Sequence, residues 1–260
     1  MPPAFPHLAL VRRPSSRLAE GEVTHVARQV VDVELARRQH TAYVQVLRQH
    51  GLEIVEVPPA DEHPDGLFVE DTLVVLERGA APRAVLTRPG ADSRRGEIES
   101  VALVAQARGL ALARITAPAT LDGGDVLVTP RHVLVGQSTR SNAAALAQLA
   151  PLTGGRPVVP VPVHGALHLK TAVTSLPDGA LIAVPAYVDC AALRALGYQV
   201  HEAEDVSGGD VLCLGDTVLL PASAAATAAQ LRALGHAVQL LELGELQKLE
   251  AGVTCMSVLV

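Results

Sequence analysis

One pattern of apolar and polar positions occurs twice in the chain. Leu121-Asp122-Gly123-Gly124-Asp125-Val126-Leu127-Val128 returns 85 residues later as Val206-Ser207-Gly208-Gly209-Asp210-Val211-Leu212-Cys213. Each copy is followed by a second short β-rich run (His132 to Val135; Thr217 to Leu220), an Ala/Leu helix (Asn142 to Ala150; Ala224 to Leu234) and a further strand (Arg156 to Val161; Ala237 to Leu241). Ser141 and Ser223 stand where an N-cap is favoured, and Gly235 suits the position just past the second helix. The unit reads strand, strand, helix, strand.

That template finds further copies. Phe68 to Leu76, Ala84 to Thr87, the helical stretch Arg94 to Arg108 and Leu112 to Ile115 form one. Leu167 to Leu176, Ala180 to Val184, the helix Asp189 to Leu196 and Gln199 to Glu202 form another. The last eight residues, Val253 to Val260, read as an opening strand with nothing after it, and the beginning supplies the rest: strand Leu8 to Arg12, helix Asp32 to His50, strand Glu53 to Val57. Five units in 260 residues, closed through the termini, predict an α/β fold. It is a five-fold pseudo-symmetric ββαβ propeller with strands toward an axis and helices outside. A doubly wound parallel sheet would alternate single strands with helices instead. Residues 1–260 are then expected to form a single domain of five ββαβ repeats.

Composition narrows the function. The chain is 49% hydrophobic and 18% charged with a formal net charge of −6, which argues against a nucleic-acid partner or a polybasic membrane surface. With three Tyr, two Phe and no Trp there is little material for stacking bases or sugars. Three cysteines make no disulfide framework, and no apolar run approaches a membrane span. A cytoplasmic location is expected, with the oligomeric state open between monomer and homodimer.

Equivalent positions of the opening strands should meet around the axis. They are Glu70-Asp71, Asp122 with Asp125, His168 with Lys170, Ser207 with Asp210, and Thr254-Cys255-Met256. A thiol, an imidazole and a group of carboxylates converging among Val, Leu and Ala fit a Cys–His nucleophilic pair, with acids to hold a cationic substrate. Alone, Cys255 would read as a small core hydrophobe, as Cys190 and Cys213 do. The Gly-Gly pairs read as turns supplying positive φ. His164 and His168 have helical chelating spacing, but Pro160, Pro162 and Gly165 oppose a helix there, against a resident zinc ion.

Several motifs then resemble, nearly end to end, the dimethylarginine dimethylaminohydrolase family of the guanidino-group-modifying (pentein) superfamily. They are Asp32 to His40, Asp65-Gly66-Leu67-Phe68-Val69-Glu70-Asp71, Leu86-Thr87-Arg88-Pro89-Gly90 with Ser93-Arg94-Arg95, Thr120 to Leu127, Leu167-His168-Leu169-Lys170 and Thr254-Cys255. The resemblance implies hydrolysis of Nω-methylated arginines to citrulline and methylamine or dimethylamine, without a cofactor. It implies Cys255 as nucleophile, His168 as general acid/base and Asp122 as the acid that orients the histidine. Asp65, Glu70 and Asp71 match acids that bind the guanidinium and α-amino groups. Arg94 and Arg140 match arginines that hold the α-carboxylate, and Val23 falls where a mobile lid contacts substrate. The Cys255 and His168 pair implies a possible site for inhibitory Zn²⁺. Two rival readings share the scaffold. One is an arginine deiminase or amidinotransferase-like enzyme, whose chains are typically longer. The other is a non-catalytic binder of arginine derivatives, which the presence of both Cys255 and His168 disfavours.

Overall fold

In the computed structural model, which describes residues 6–79 and 81–260, five three-stranded sheets account for all the strands. Each pairs an inner strand antiparallel to a middle one, and the middle one parallel to an outer one. In chain order the first sheet joins Leu73–Glu77, Arg83–Leu86 and Ala111–Arg114. The second joins Val126–Val128, Val133–Gln137 and Val158–Pro162. The third and fourth follow as Val173–Ser175, Leu181–Ala183, Val200–Glu202 and as Leu212–Leu214, Thr217–Pro221, Ala237–Leu241. The fifth is closed by the two ends of the chain. Ser257–Leu259 pairs antiparallel with Leu8–Val11, in the register Ala9 to Leu259, and Leu8–Val11 pairs parallel with Glu53–Glu56.

Between each middle and outer strand runs one helix: Ile98–Ala107, Ala143–Leu149, Cys190–Ala195, Ala225–Ala233 and, in the fifth unit, Val33–Gln49. The crossover is what two parallel strands require. Inner strands such as Leu73–Glu77 and Ser257–Leu259 are almost wholly buried, whereas outer ones such as Ala111–Arg114 are half exposed. An axial cavity of about 260 Å³ is lined from all five inner strands, through Val75, Val126, Thr174, Leu212 and Val258. This is the ββαβ propeller that the repeat predicts. Within it the Tyr43 hydroxyl meets Ser257 Oγ at 2.7 Å, fixing the first helix to the final strand.

Three local expectations give way. The opening segments are not continuous strands: four begin with a helical turn and the fifth with a bend and turn, and only then do they become the inner strands. The turns are Val69–Thr72, Gly123–Asp125, Leu169–Ala172, Val206–Gly209 and residues 253–256. The helix caps also shift by one. Asn142 accepts the N–H of Ala145, while Ser141 donates to Asp125; Ala224 stands at the other cap, and Ser223 donates to Ser207. Finally, none of Gly123, Gly124, Gly208 and Gly209 has positive φ. What excludes a side chain there is space. A Cβ on Gly124 would lie 2.6 Å from His168 Nδ1 and 2.8 Å from Asp71 Oδ1, and one on Gly123 would lie 2.0 Å from the Glu70 carbonyl oxygen.

Candidate active site

The opening turns explain how neighbours in sequence reach different surroundings. A strand would place successive side chains on opposite faces, whereas a turn rotates them by roughly 100–120° each. On the turn Val69–Thr72, Asp71 faces a small cavity at one end of the axis and Glu70 faces the axial cavity. Glu70 pairs there with Lys170 Nζ at 2.6 Å and accepts from Thr254 Oγ1 at 2.9 Å. Of the three acids expected at the guanidinium and α-amino groups, Asp65 and Asp71 line the small cavity and Glu70 does not. Glu70 braces the floor behind it.

His168 caps the turn Leu169–Ala172 and is buried. Its Nε2 lies 3.0 Å from Asp122 Oδ2, and its Nδ1 lies 3.8 Å from Asp71 Oδ1. Asp122 is held in turn by the Gly90 N–H, 2.8 Å from its Oδ1. Asp125, which the repeat placed nearby without a role, accepts the Leu169 N–H at 3.0 Å and so fixes the residue after the histidine. Burial opposes a charged imidazole, but Asp71, the hydrogen bond to Asp122 and the charge of Asp125 outweigh it and raise His168 to about 9. At neutral pH the ring is an imidazolium. Replacing Asp122 by Asn removes a charge-assisted hydrogen bond of about 1.5–3 kcal/mol. We expect the His168 pKa to fall by about one to two pH units, read from the pH titration of its ring nitrogens by NMR.

Asp71 is held at about 2. Burial pushes it up, but His168, Arg94 and the Gly124 N–H at 2.9 Å hold it down. Arg94 lies within 2.5 Å of Asp71 Oδ2, binds Glu97 through Nε and Nη2, and also donates to the carbonyls of Asp65 and Phe68. The guanidinium expected at the substrate carboxylate is thus turned toward protein acceptors, with Asp71 as its target. Glu97, which carried no sequence signal, is its second anchor. Arg140 differs. Among the described residues its guanidinium meets only Glu22 at 3.0 Å and Thr24 Oγ1 at 3.3 Å, both on the segment between the first strand and the first long helix.

Cys255 is half-buried on the turn 253–256. Its Sγ accepts the Gly252 N–H at 3.3 Å and faces Asp210 Oδ2 at 4.0 Å. Burial raises its pKa well above the ordinary thiol value, and Asp210, Glu70 and Asp71 add to the rise. In the resting site it is a thiol. Burial and the charge of Glu70 push Asp210 to about 7. Asp210 is the Gly-Gly-Asp partner of Asp125, so the repeat brought it to the axis but gave it no function.

Cys255, His168, Asp71, Asp65, Arg94 and Arg140 line one cavity of about 20 Å³, room for a single water. Glu22 and Glu250 also line it, with Phe68, Leu167, Leu249 and Ala251. Val23, expected to touch substrate, is partly buried and packs against the core, and the lid residue on the cavity is Glu22. Glu250 holds the same segment by accepting the N–H groups of Thr24 and His25 at 2.6 and 2.7 Å, from a left-handed backbone with φ of +61°. A non-glycine residue in that region is uncommon and marks a constrained position. Nothing in the sequence pattern signals Glu22, because loop contacts follow no period.

Among the described residues, Asp71, Asp122 and His168 bring three ligand atoms within 4.8 Å of one another, and Cys255 is not part of that group. Their oxygens already accept from Arg94, Gly124, Gly90 and His168, so a cation would have to displace donors. No described helix is long and apolar enough to cross a membrane.

No family model matches the chain. It is 48% identical over 255 residues to the N(G),N(G)-dimethylarginine dimethylaminohydrolase of Streptomyces coelicolor, covering 96% of this chain and 95% of that one. It is 30% identical over 257 residues to the enzyme of the same name from Pseudomonas aeruginosa, covering 97% and 98%. Among solved structures, a cysteine-to-serine variant of the Pseudomonas aeruginosa enzyme complexed with citrulline superposes with a TM-score of 0.89 at 28% identity, over 99% of this chain and 100% of that one. The N-terminal domain of ArgZ, an arginine dihydrolase from cyanobacteria, shares the fold with a TM-score of 0.82 at 18% identity, over 97% of each chain.

Proposed function

Because the chain belongs to the dimethylarginine dimethylaminohydrolase family, we infer that it hydrolyses Nω-methylated L-arginines to L-citrulline and dimethylamine or methylamine. One arrangement carries the reading: a thiol and an imidazolium on the wall of a single cavity that also holds Asp71, Asp65, Arg94 and Arg140. In this reading residues 1–260 act as one catalytic domain. The three free cysteines suit a reducing, cytoplasmic setting.

Asp71, anchored by Arg94 and the Gly124 N–H, grips the substrate guanidinium and holds it planar against Cys255. The same positive charge draws Cys255 toward thiolate, which burial among carboxylates otherwise disfavours. The one acceptor the thiol faces among the described residues is Asp210. The thiolate adds to the guanidinium carbon, and His168, charged at neutral pH, protonates the departing amine as the C–N bond breaks. The S-alkylthiouronium left on Cys255 is attacked by water, whose proton passes to His168. The C–S bond then breaks, returning the thiolate and leaving the ureido group of citrulline. Asp122 keeps the ring oriented in both halves.

Arg140 takes the α-carboxylate in this account. Arg140→Lys loses bidentate geometry with a carboxylate. At about 1.5–3 kcal/mol for the interaction, KM should rise about 10- to 100-fold with kcat little changed, measured by steady-state citrulline formation. The function itself is tested by incubating purified protein with arginine, monomethylarginine and asymmetric dimethylarginine, and measuring citrulline, ammonia and the amines. The methylated substrates should have the higher kcat/KM. The extra N–H groups of plain arginine lose water without gaining acceptors, a penalty of about 1–3 kcal/mol for each unsatisfied donor. Arginine as the best of the three would move the chain to the deiminase reading.

A further inference from the structure

Asp210 is a buried acid beside the nucleophile that lines neither the small cavity nor the axial one, so it is not among the acids that can grip a substrate. Its Oδ1 accepts the Thr254 N–H at 3.1 Å, and its Oδ2 lies 3.2 Å from Thr254 Oγ1 and 4.0 Å from Cys255 Sγ. The Thr254 hydroxyl also lies 2.9 Å from Glu70 Oε2. A hydroxyl carries one proton and can donate to one carboxylate at a time. Lys170 pairs with Glu70 at 2.6 Å, and among the described residues no cation pairs with Asp210. Oδ2 of Asp210 therefore faces the thiol with acceptor capacity to spare. Gly252 holds the two together: its N–H donates to Sγ, and a Cβ on it would lie 1.9 Å from Asp210 Oδ2.

The first half of the reaction needs two proton events of opposite sense. Cys255 must lose a proton, and the departing amine must gain one. His168 cannot do both. It enters as an imidazolium, its ring nitrogens face Asp122 and Asp71, and the hydrogen-bond partners of Sγ among the described residues are Gly252 and Asp210 alone. We propose that Asp210 is the base for Cys255: as the substrate guanidinium arrives, the S–H bond breaks, an O–H bond forms on Asp210 Oδ2, and Cys255 attacks as thiolate. The proton moves within one buried pair whose total charge does not change. Asp210 returns it to the sulfur once citrulline has formed, and His168 keeps its own proton for the amine. Catalytic hydrogen bonds are commonly long before substrate binds and tighten in the complex. The inference rests on the hydrolase reading above and adds a catalytic residue to it.

The surroundings suit the task. The groups that face Asp210 are Glu70 on the turn Val69–Thr72, Lys170 on the turn Leu169–Ala172, Thr254 and Cys255 on the turn 253–256, and the neutral Tyr43 phenol on the first long helix. Burial and Glu70 push its carboxyl up to about 7, while Thr254 and Lys170 limit the rise. A base with a midpoint near the working pH is available and still able to hold the proton it takes.

Turnover of asymmetric dimethylarginine by the wild-type protein is established first, which separates a failure of the hydrolase reading from a failure of this one. Asp210→Asn is then the direct variant, because an amide oxygen can still accept the Thr254 N–H but cannot take the thiol proton. A fixed negative charge and a base predict opposite signs here. As a fixed charge Asp210 opposes the thiolate, so its removal would make Cys255 more acidic and turnover at neutral pH equal or faster. As the base, its removal should lower kcat/KM at neutral pH by about 10- to 100-fold. The pH profile reads the same question in the wild type alone. There kcat/KM should rise to a plateau through about pH 7 as Asp210 ionises, ahead of the decline expected from His168 near 9. In Asp210→Asn the rising limb should move up by about one pH unit or more, toward the ordinary thiol range near 8.5. A wild-type limb that rises only in the thiol range, an Asp210→Asn limb that stays near 7, or unchanged or faster turnover in that variant would overturn the proposal.

Discussion

Cys255→Ser should lose turnover by at least about four orders of magnitude while the protein folds as before. A serine hydroxyl at this place cannot ionise in the way a thiol beside a bound guanidinium can, and an alkoxide is a poorer leaving group when the thiouronium stage must collapse. The fold should tolerate the change. Cys255 is half-buried, and a hydroxyl can still accept from the Gly252 N–H and donate to Asp210. Thermal melts of the variant and the wild type should then nearly coincide. The other two cysteines provide the contrast. Cys213 donates to the Ser175 carbonyl at 3.1 Å and has its pKa pushed up to about 12 by burial, and Cys190 is buried at the start of its helix. Cys190→Ser and Cys213→Ser should keep their activity and lose about 1–2 kcal/mol of stability. Wild-type rates in Cys255→Ser would remove the nucleophile from this account.

The second large effect belongs to His168. His168→Gly removes the imidazolium that protonates the dialkylamine on departure and accepts a proton from water afterwards, so kcat should fall by about 10²–10⁴-fold. The loss has a signature in pH. With its pKa raised from 6.5 to about 9, His168 in the wild type donates its proton up to that range, and kcat/KM should decline above it. Stability follows the same titration. A raised folded pKa contributes stability that is complete below about pH 6.5 and disappears as pH rises through about 9. Wild-type stability in denaturant should therefore lose this contribution between pH 6.5 and pH 9, and His168→Gly should lack that part of the slope. The variant is also less stable near neutrality, because Asp71 and Asp122 face each other across the space that held an imidazolium.

Much of the fold was legible because the repeat is written in residues that must be buried. Apolar runs fixed the middle and outer strands to within one or two positions, and the unpaired strand at the chain end found its partner at the beginning. What misled was the opening segment. Val69 to Thr72 and Leu169 to Ala172 read as apolar strand, yet fold as single turns, because Asp71 and His168 need to leave the backbone toward the cavity while their neighbours enter the core. The Gly-Gly pairs carried a true signal with the wrong reason attached. They mark close approach to Glu70 and His168, and their φ values are ordinary. Within the site, Cys255, His168, Asp71 and Asp122 could be found because the repeat and the motifs place them together. The partner of each charge could not. That Arg94 holds Asp71, that Glu70 holds Lys170 and that Glu22 rests on Arg140 depend on side chains meeting across 23, 100 and more than 100 residues of chain. Such pairs follow no sequence period.

The central claim is a covalent bond between Cys255 and the guanidinium carbon of the substrate. Rapid quenching of the wild-type and His168→Gly proteins with excess asymmetric dimethylarginine, followed by intact mass and peptide mapping, tests it directly. The account predicts an adduct with the mass of dimethylarginine less dimethylamine, on the peptide containing Cys255, persisting longer in His168→Gly and decaying to citrulline. Citrulline formed with no such adduct in either protein, or an adduct on Cys190 or Cys213, would contradict it.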